Sequence, residues 1–225
     1  MVHRFVGGLL CSSVTLLIFV VSLMRPDVSM AQGSQPRYEV IGFREARFGM
    51  TEPQVRLSAK NSFGVDDGEM TLRTNAIDGT TKLIVHVRML ETGLDEGRIE
   101  YLFGHKQHKL FQVNVVWGLD TNPPLDNIGM IAGAVRLQRY FLGFVWANRS
   151  VRTGIPIDDR AILLFSGSDG KNGAVSLVVD QVRYELGPNG IVRLVPERLF
   201  ATKLTISYVD ESSEADVREI SRGEF

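Results

Sequence analysis

The side chains best able to do chemistry in this chain are few and scattered. His105 and His108 form an H-x-x-H pair, the only histidine cluster among four histidines. On a helix that spacing would put both imidazoles on one face. Here Lys106 and Lys109 flank them, the surrounding pattern is that of a hairpin turn, and no third ligand lies nearby. The expectation is a solvated turn rather than a metal site. The segment Ser166-Gly167-Ser168-Asp169-Gly170-Lys171-Asn172-Gly173 carries oxygen-bearing side chains at alternate positions, as a calcium loop does. It lacks the paired acidic ligands and the closing bidentate glutamate that calcium affinity requires, so it reads as a hairpin loop.

Asp66-Asp67 and Asp158-Asp159 are adjacent carboxylates, and neighbours in an extended chain point to opposite faces. Neither pair can act directly as acid and base, so both are expected to be loop charges. No serine stands in the G-x-S-x-G setting of a nucleophile elbow, and no G-x-x-x-x-G-K phosphate cradle occurs. His86, in an alternating run, would be the base of a triad dispersed along the chain. The residues therefore predict no catalytic, cofactor-binding or metal-ligating set.

The single cysteine, Cys11, lies inside an apolar run and follows Leu10, where lipid attachment needs a small residue. It reads as a small apolar side chain. That run, Phe5 to Met24, follows a short basic segment of His3 and Arg4. Ser29-Met30-Ala31 then fits the small-x-small cleavage rule, and Pro26 suits the helix break before it. Residues 1–31 are thus expected to be a signal peptide cut before Gln32. An uncleaved N-terminal anchor is the alternative, because the run approaches the roughly 20 residues that span a bilayer. Arg25 and Asp27 are also unusual in a cleavage region. Either way the rest of the chain is expected in the periplasm, outside the inner membrane, with membrane attachment only through residues 5–24. A chain cut before Gln32 would hold no cysteine, hence no disulfide, no thiol nucleophile and no cysteine-ligated metal.

The 225 residues are 44% hydrophobic and 23% charged, with a net charge of −1. Residues 1–31 contain Arg4, Arg25 and Asp27, which leaves 23 basic and 25 acidic residues in the remainder, a net of −2. Near-neutral charge without a long basic run argues against nucleic acid as a partner.

Several elements must position whatever site exists. Gln32 to Arg37 reads as a flexible linker. In Phe48-Gly49-Met50-Thr51-Glu52-Pro53-Gln54-Val55, Thr51 and Gln54 have capping-box spacing, Met50 and Val55 form a hydrophobic staple, and Pro53 fits the first turn. A helix over about 52–63 follows, closed by Gly64. The period then changes to two. Met70 to Thr74 and Leu83 to Met89 alternate around an Asp78-Gly79 turn, Glu91 to Gly97 reads as a loop, and Ile99 to Phe103 leads into Leu110 to Trp117.

A similar order recurs. Thr121 to Pro124, or Asp126, starts a second helix, with Ile128, Ile131, Ala134/Val135 and Phe141 as its stripe and an end near Gly143. Strand-like runs follow at Phe144–Trp146, Ala161–Phe165, Val175–Val179 through Tyr184, Ile191–Leu194 and Leu204–Tyr208. Turns are expected at Gly167–Gly170 and Gly187–Gly190. The predicted fold is α+β, with two helix-plus-antiparallel-meander units at 38–118 and 119–209, a degenerate repeat, and an acidic tail at 210–225. Trp117, Trp146, Tyr101, Phe103, Phe111 and Tyr140 are the large aromatics. Most belong in the core, and Trp117 and Trp146 are the candidate partner-interface aromatics if exposed.

The phrase Arg47 to Val55, followed by runs ending in Tyr101-Leu102-Phe103 and Leu110 to Val115, resembles a pattern of small exported bacterial proteins, best known from the BamE-like outer-membrane-assembly lipoproteins. The resemblance covers about a third of the chain. It implies an α+β module for protein–protein contact in the envelope rather than catalysis. This chain departs from that family in lacking a lipidation cysteine and in carrying a second unit. The leading expectation is a non-enzymatic envelope protein that binds or scaffolds a protein partner. A periplasmic carrier with an apolar pocket between helix and sheet is the main alternative, and a hydrolase built around His86 the weaker one.

Overall fold

The computed structural model describes residues 35–90, 94–118, 127–180, 184–187, 192–194, 203–212 and 216. The signal or anchor segment, the second-helix start at 121–126 and most of the acidic tail lie outside the described residues. No helix among those described is long and apolar enough to cross a membrane.

The first helix, α1 (Glu52–Phe63), starts where local chemistry requires. The Thr51 N–H donates to Gln54 Oε1 at 2.9 Å, closing the capping box. Gly64 ends the helix at φ 66°, and its N–H donates to the Lys60 carbonyl at 2.8 Å. Val55, Ser58 and Ala59 form its buried face. A small hairpin precedes it, β1 (Gly42–Phe43) with β2 (Ala46–Arg47).

After α1 come β3 (Met70–Thr74), β4 (Thr81–Leu90), β5 (Leu94–Phe103) and β6 (Leu110–Trp117). The second half contributes α2 (Asn127–Leu142), β7 (Ile155–Pro156), β8 (Ala161–Ser168), β9 (Gly173–Asp180), β10 (Tyr184–Leu186), β11 (Val192–Leu194) and β12 (Lys203–Asp210). Eight strands form one antiparallel sheet in the order β3-β4-β5-β6-β12-β9-β8-β7. The last strand thus inserts between β6 and β9 and joins the strands of the two expected units edge to edge. The hydrophobic core runs without a break across that seam.

Because strand side chains alternate between faces, the register sorts the sheet into rows that cross the strands. One row, Met70–Val85–Ile99–Val115–Ile206–Leu177–Phe165, is buried at every position. Both helices pack on this side. On α2 the buried stripe is Met130, Ala134, Leu137 and Phe141, a clean 4-3-4 spacing. It is rotated from the expected one, which missed Met130 and Leu137 and put Ile131, only half-buried, in the stripe. Phe141 stacks on Phe165 with ring centroids 5.3 Å apart. Gly133 lets α2 approach β5, since a Cβ there would stand 2.8 Å from the Leu94 side chain. The extra residue Leu164 bulges out of β8, and Gln138 Nε2 donates to its carbonyl at 2.7 Å.

Several expectations change. Glu91–Gly97 is not all loop, because β5 already begins at Leu94 and Gly97 pairs with Val87. Phe144–Trp146 makes no strand; Val145 forms a single parallel bridge with Arg37. That bridge also ties down Pro36 and Arg37, expected in a flexible linker, since the Pro36 carbonyl accepts from the Val145 N–H at 3.0 Å. The strand expected to run from Val175 through Tyr184 stops at Asp180, and Tyr184–Leu186 pairs with Val192–Leu194 in a separate ribbon. Gly167 and Ser168 belong to β8, so the turn starts two residues later than expected. β3 alternates in register but only Met70 is buried, which leaves Leu72 47% exposed on an edge strand.

Candidate functional site

The positions one residue along from the buried row make up a different surface. Thr71–Ile84–Glu100–Asn114–Ser207–Ser176–Ser166 also crosses seven strands in register, on the face opposite the helices. Arg152 extends the row, since its backbone bridges Ser166 with hydrogen bonds of 3.0 and 2.8 Å. Directly opposed residues share a face, so the Arg152 side chain leaves on the same side as Ser166.

The row divides into two parts. In the first half, the one carboxylate is met by two cations. Glu100, 7% exposed, accepts from Lys82 Nζ at 3.1 Å and forms an ion pair with Arg98, whose Nε lies 3.0 Å away. Asn114 accepts from Gln112 Nε2 at 2.8 Å. In the second half, Ser166, Ser176 and Ser207 are half-buried, and their hydroxyls have no hydrogen-bond partner among the described residues. They border an open cleft of about 370 Å³, whose wall also includes Arg149, Arg152 and Glu211. Neither arginine has an ion-pair partner among the described residues. Arg149 holds its place from a left-handed backbone at φ 58°, uncommon for a non-glycine residue.

The floor of this cleft is fixed from below and from one end. Trp146 lies against Gly167, where a Cβ would stand 2.7 Å from the indole, and its Nε1 donates to the Phe141 carbonyl at 2.8 Å. At the end, Asp169 closes the β8–β9 turn. Its Oδ1 accepts from the Lys171 and Gly173 N–H groups at 2.6 and 3.0 Å, and its Oδ2 from Val40 at 3.0 Å. Burial pushes this carboxyl upward, but the three backbone donors and Lys171 outweigh it and hold the group below the usual carboxylate range. Asp169, expected as one oxygen of a hairpin loop, is thus the buried polar clamp that ties the N-terminal segment to the hairpin.

The remaining candidates lie elsewhere. His105 sits on the β5–β6 turn with Nδ1 3.3 Å from the Gly79 carbonyl, while His108 is exposed at φ 52°. The turn is organised by Asp216 of the acidic tail, whose carboxylate accepts from the Gln107 N–H at 2.7 Å and the Lys106 N–H at 2.9 Å. Those bonds, Gln107 first, hold the Asp216 carboxyl below the usual range, helped by the charges of Lys106 and His105. No group of three histidine, cysteine or acidic side chains is placed to hold a metal among the described residues. His86 is exposed on β4, on the uncovered face, opposite Arg98. Asp66 caps a 3-10 turn, Asp67 pairs with Lys60 at 2.6 Å, and Asp158 accepts from the Arg160 N–H at 2.7 Å.

Trp117 and Trp146, the candidate interface aromatics, are 1% and 8% exposed and belong to the core. Trp117 lies on β6 opposite Leu204, under the helices, and Trp146 stacks on Tyr38 at 5.0 Å. Burial pushes the Tyr38 phenol up to about 12, against the lowering effect of its hydrogen bond with Tyr208. Sequence reasoning missed the serine row because its members lie on three strands and only the register brings them together. Comparisons with protein-family models, with curated proteins and with solved structures found no match.

Proposed function

We propose that this chain is an exported envelope protein without catalytic activity, which binds a protein partner through the uncovered face of its sheet. The observation that carries the reading is the contrast between faces. Two helices cover one side, while the other presents a polar row across seven strands with part of its hydrogen-bonding capacity unused. A polar, shape-defined patch of this kind suits a non-obligate interface, in which hydroxyls and charges set specificity. The N-terminal pattern supports export to the periplasm, with residues 1–31 removed as a signal peptide or kept as an anchor. The recurrence of a helix followed by antiparallel strands supports a degenerate repeat, and the likeness to BamE-like modules supports protein contact as the task.

The test is co-purification from solubilised envelope with four baits. Wild type should retain a discrete protein that Ser176→Arg and Ser207→Arg lose. Leu57→Arg, on the exposed side of α1 at 60% exposure, should retain it. Equal retention by all three variants would sink the reading. Sequencing of the N-terminus of the purified chain decides the address: a start at Gln32 means release, and Met1 means a tether.

A second reading, a small-ligand carrier, is favoured by the cleft on the uncovered face. That cleft is lined by hydroxyls and arginines rather than by the apolar helix–sheet pocket expected of a carrier.

A further inference from the structure

We propose that the cleft at the β8–β9–β12 end of the uncovered face is a binding site for a small hydroxylated anion. The ligand class is a carboxylate or phosphate carried on a sugar or polyol frame. The inference stands apart from the protein-partner reading, since it concerns one corner of the face and a ligand that fits within it.

Four observations lead there. The cleft, at about 370 Å³, falls within the size range of small-molecule sites. Ser166, Ser176 and Ser207 are direct cross-strand neighbours, so their hydroxyls recur at the inter-strand spacing of roughly 4.8 Å. A compact polyol laid across the strands would meet one after another, and each hydroxyl can either donate or accept. The same three hydroxyls are without partners among the described residues. Two other serines on the cleft wall, Ser150 and Ser168, are already used. Ser150 Oγ donates to the Ala147 carbonyl at 2.8 Å, and Ser168 Oγ accepts from the Gly170 N–H at 3.2 Å. The free hydroxyls are therefore the contiguous ones.

Charge then orients the ligand. Arg152 continues the serine row beyond β8, and Arg149 stands in the adjoining turn. Further along this face Lys82 and Arg98 both pair with Glu100, and Lys203 pairs with Asp180. At the cleft both guanidiniums lack a carboxylate partner among the described residues, and their planar donor sets match carboxylate and phosphate geometry. Glu211 bounds the cleft past the end of β12, where its N–H donates to the Asn172 carbonyl at 2.7 Å. Its carboxylate would accept from ligand hydroxyls and repel the ligand's anionic end. The anion goes to the arginines and the hydroxyls to the serines and Glu211. No covalent step is involved.

Equilibrium dialysis of the full chain in detergent tests this with four probes: glucuronate, glucose 6-phosphate, glucose and inorganic phosphate. One molecule of glucuronate or of glucose 6-phosphate should bind per chain, and the tighter of the two identifies the anion. Glucose alone and inorganic phosphate alone should bind at least about tenfold more weakly, because each lacks one half of the recognition. Arg152→Ala should weaken the preferred ligand by about tenfold or more, with partial recovery in Arg152→Lys. The Ser176→Ala/Ser207→Ala double variant should lose about three- to tenfold for the hydroxylated anion and leave inorganic phosphate unchanged. Arg160→Ala, a surface arginine beside Asp159, should bind as wild type does. Should Arg152→Ala fail to fold, Arg149→Ala serves in its place. The proposal is overturned by any of three results: no saturable uptake of either anion, unchanged affinity in the arginine variants, or inorganic phosphate bound as tightly as glucose 6-phosphate.

Discussion

Two rows of side chains cross the same sheet one residue apart and have opposite character. Met70–Val85–Ile99–Val115–Ile206–Leu177–Phe165 is apolar and sealed beneath two helices, whereas Thr71–Ile84–Glu100–Asn114–Ser207–Ser176–Ser166 is mainly polar and faces outward. The backbone hydrogen bonds are shared by both, so the difference lies entirely in side chains. Each apolar side chain of the first row contributes about 1.5–3 kcal/mol through burial. Apart from the buried Ile84 and Glu100, the second row adds little to stability and is therefore free to carry recognition. A register slip of one residue would exchange the two, which is why the sheet's pairing and its binding surface are specified together.

The sharpest way to break this comparison is to remove mass from the first row. Phe165→Ala removes a ring stacked on Phe141 and leaves a cavity beneath α2. Urea denaturation should show a loss of about 3–5 kcal/mol. A loss under 1 kcal/mol would mean that the row is not the structural one.

Asp169 comes next, a polar residue that behaves as core. Asp169→Ala would leave three backbone donors without their acceptor, at a cost of about 2–3 kcal/mol. Its pH dependence has a definite sign. The folded carboxyl sits below its ordinary value of 3.8, so its contribution is complete above that value and fades as pH falls through the lower folded one. Thermal melts should therefore show the gap between wild type and Asp169→Asn narrowing below about pH 4 and constant above about pH 5.

Glu100 tests the boundary between the rows. It lies in the polar row yet is 7% exposed, held between Lys82 and Arg98. Glu100→Gln should cost about 1–2 kcal/mol, between the values for surface and fully buried ion pairs, and the cost should shrink in high salt. The smallest effect belongs to Ser176→Ala, which should change stability by less than about 0.5 kcal/mol. A larger loss would show that the outward row is also a structural one.

What could be read from the sequence follows from how local each determinant is. The bounds of α1 were legible because Thr51, Gln54, Pro53 and Gly64 act within one turn of the helix ends. The β5–β6 hairpin was legible through alternation and its polar turn. The insertion of β12 between β6 and β9 was not, because pairing across more than 80 residues leaves no local mark. For the same reason Trp117 and Trp146 could not be placed, and both turned out to be core. The serines of the cleft read as ordinary outward positions of separate strands. Arg152, outside any regular strand, carried no pattern at all. A faint signal existed in retrospect: the middle outward positions Ser176 of β9 and Thr205 and Ser207 of β12 are small and hydroxylated, with the charges Asp180 and Lys203 confined to one end.

The central claim is that the outward row is where the molecule is met by its partner. The most direct measurement is photocrosslinking in the envelope, with a photoreactive residue placed at position 176 in one culture and at position 57 in another. The account predicts a discrete protein adduct from position 176 and none from position 57, on the exposed side of α1. An adduct from position 57 alone would place recognition on the helix side and contradict the account.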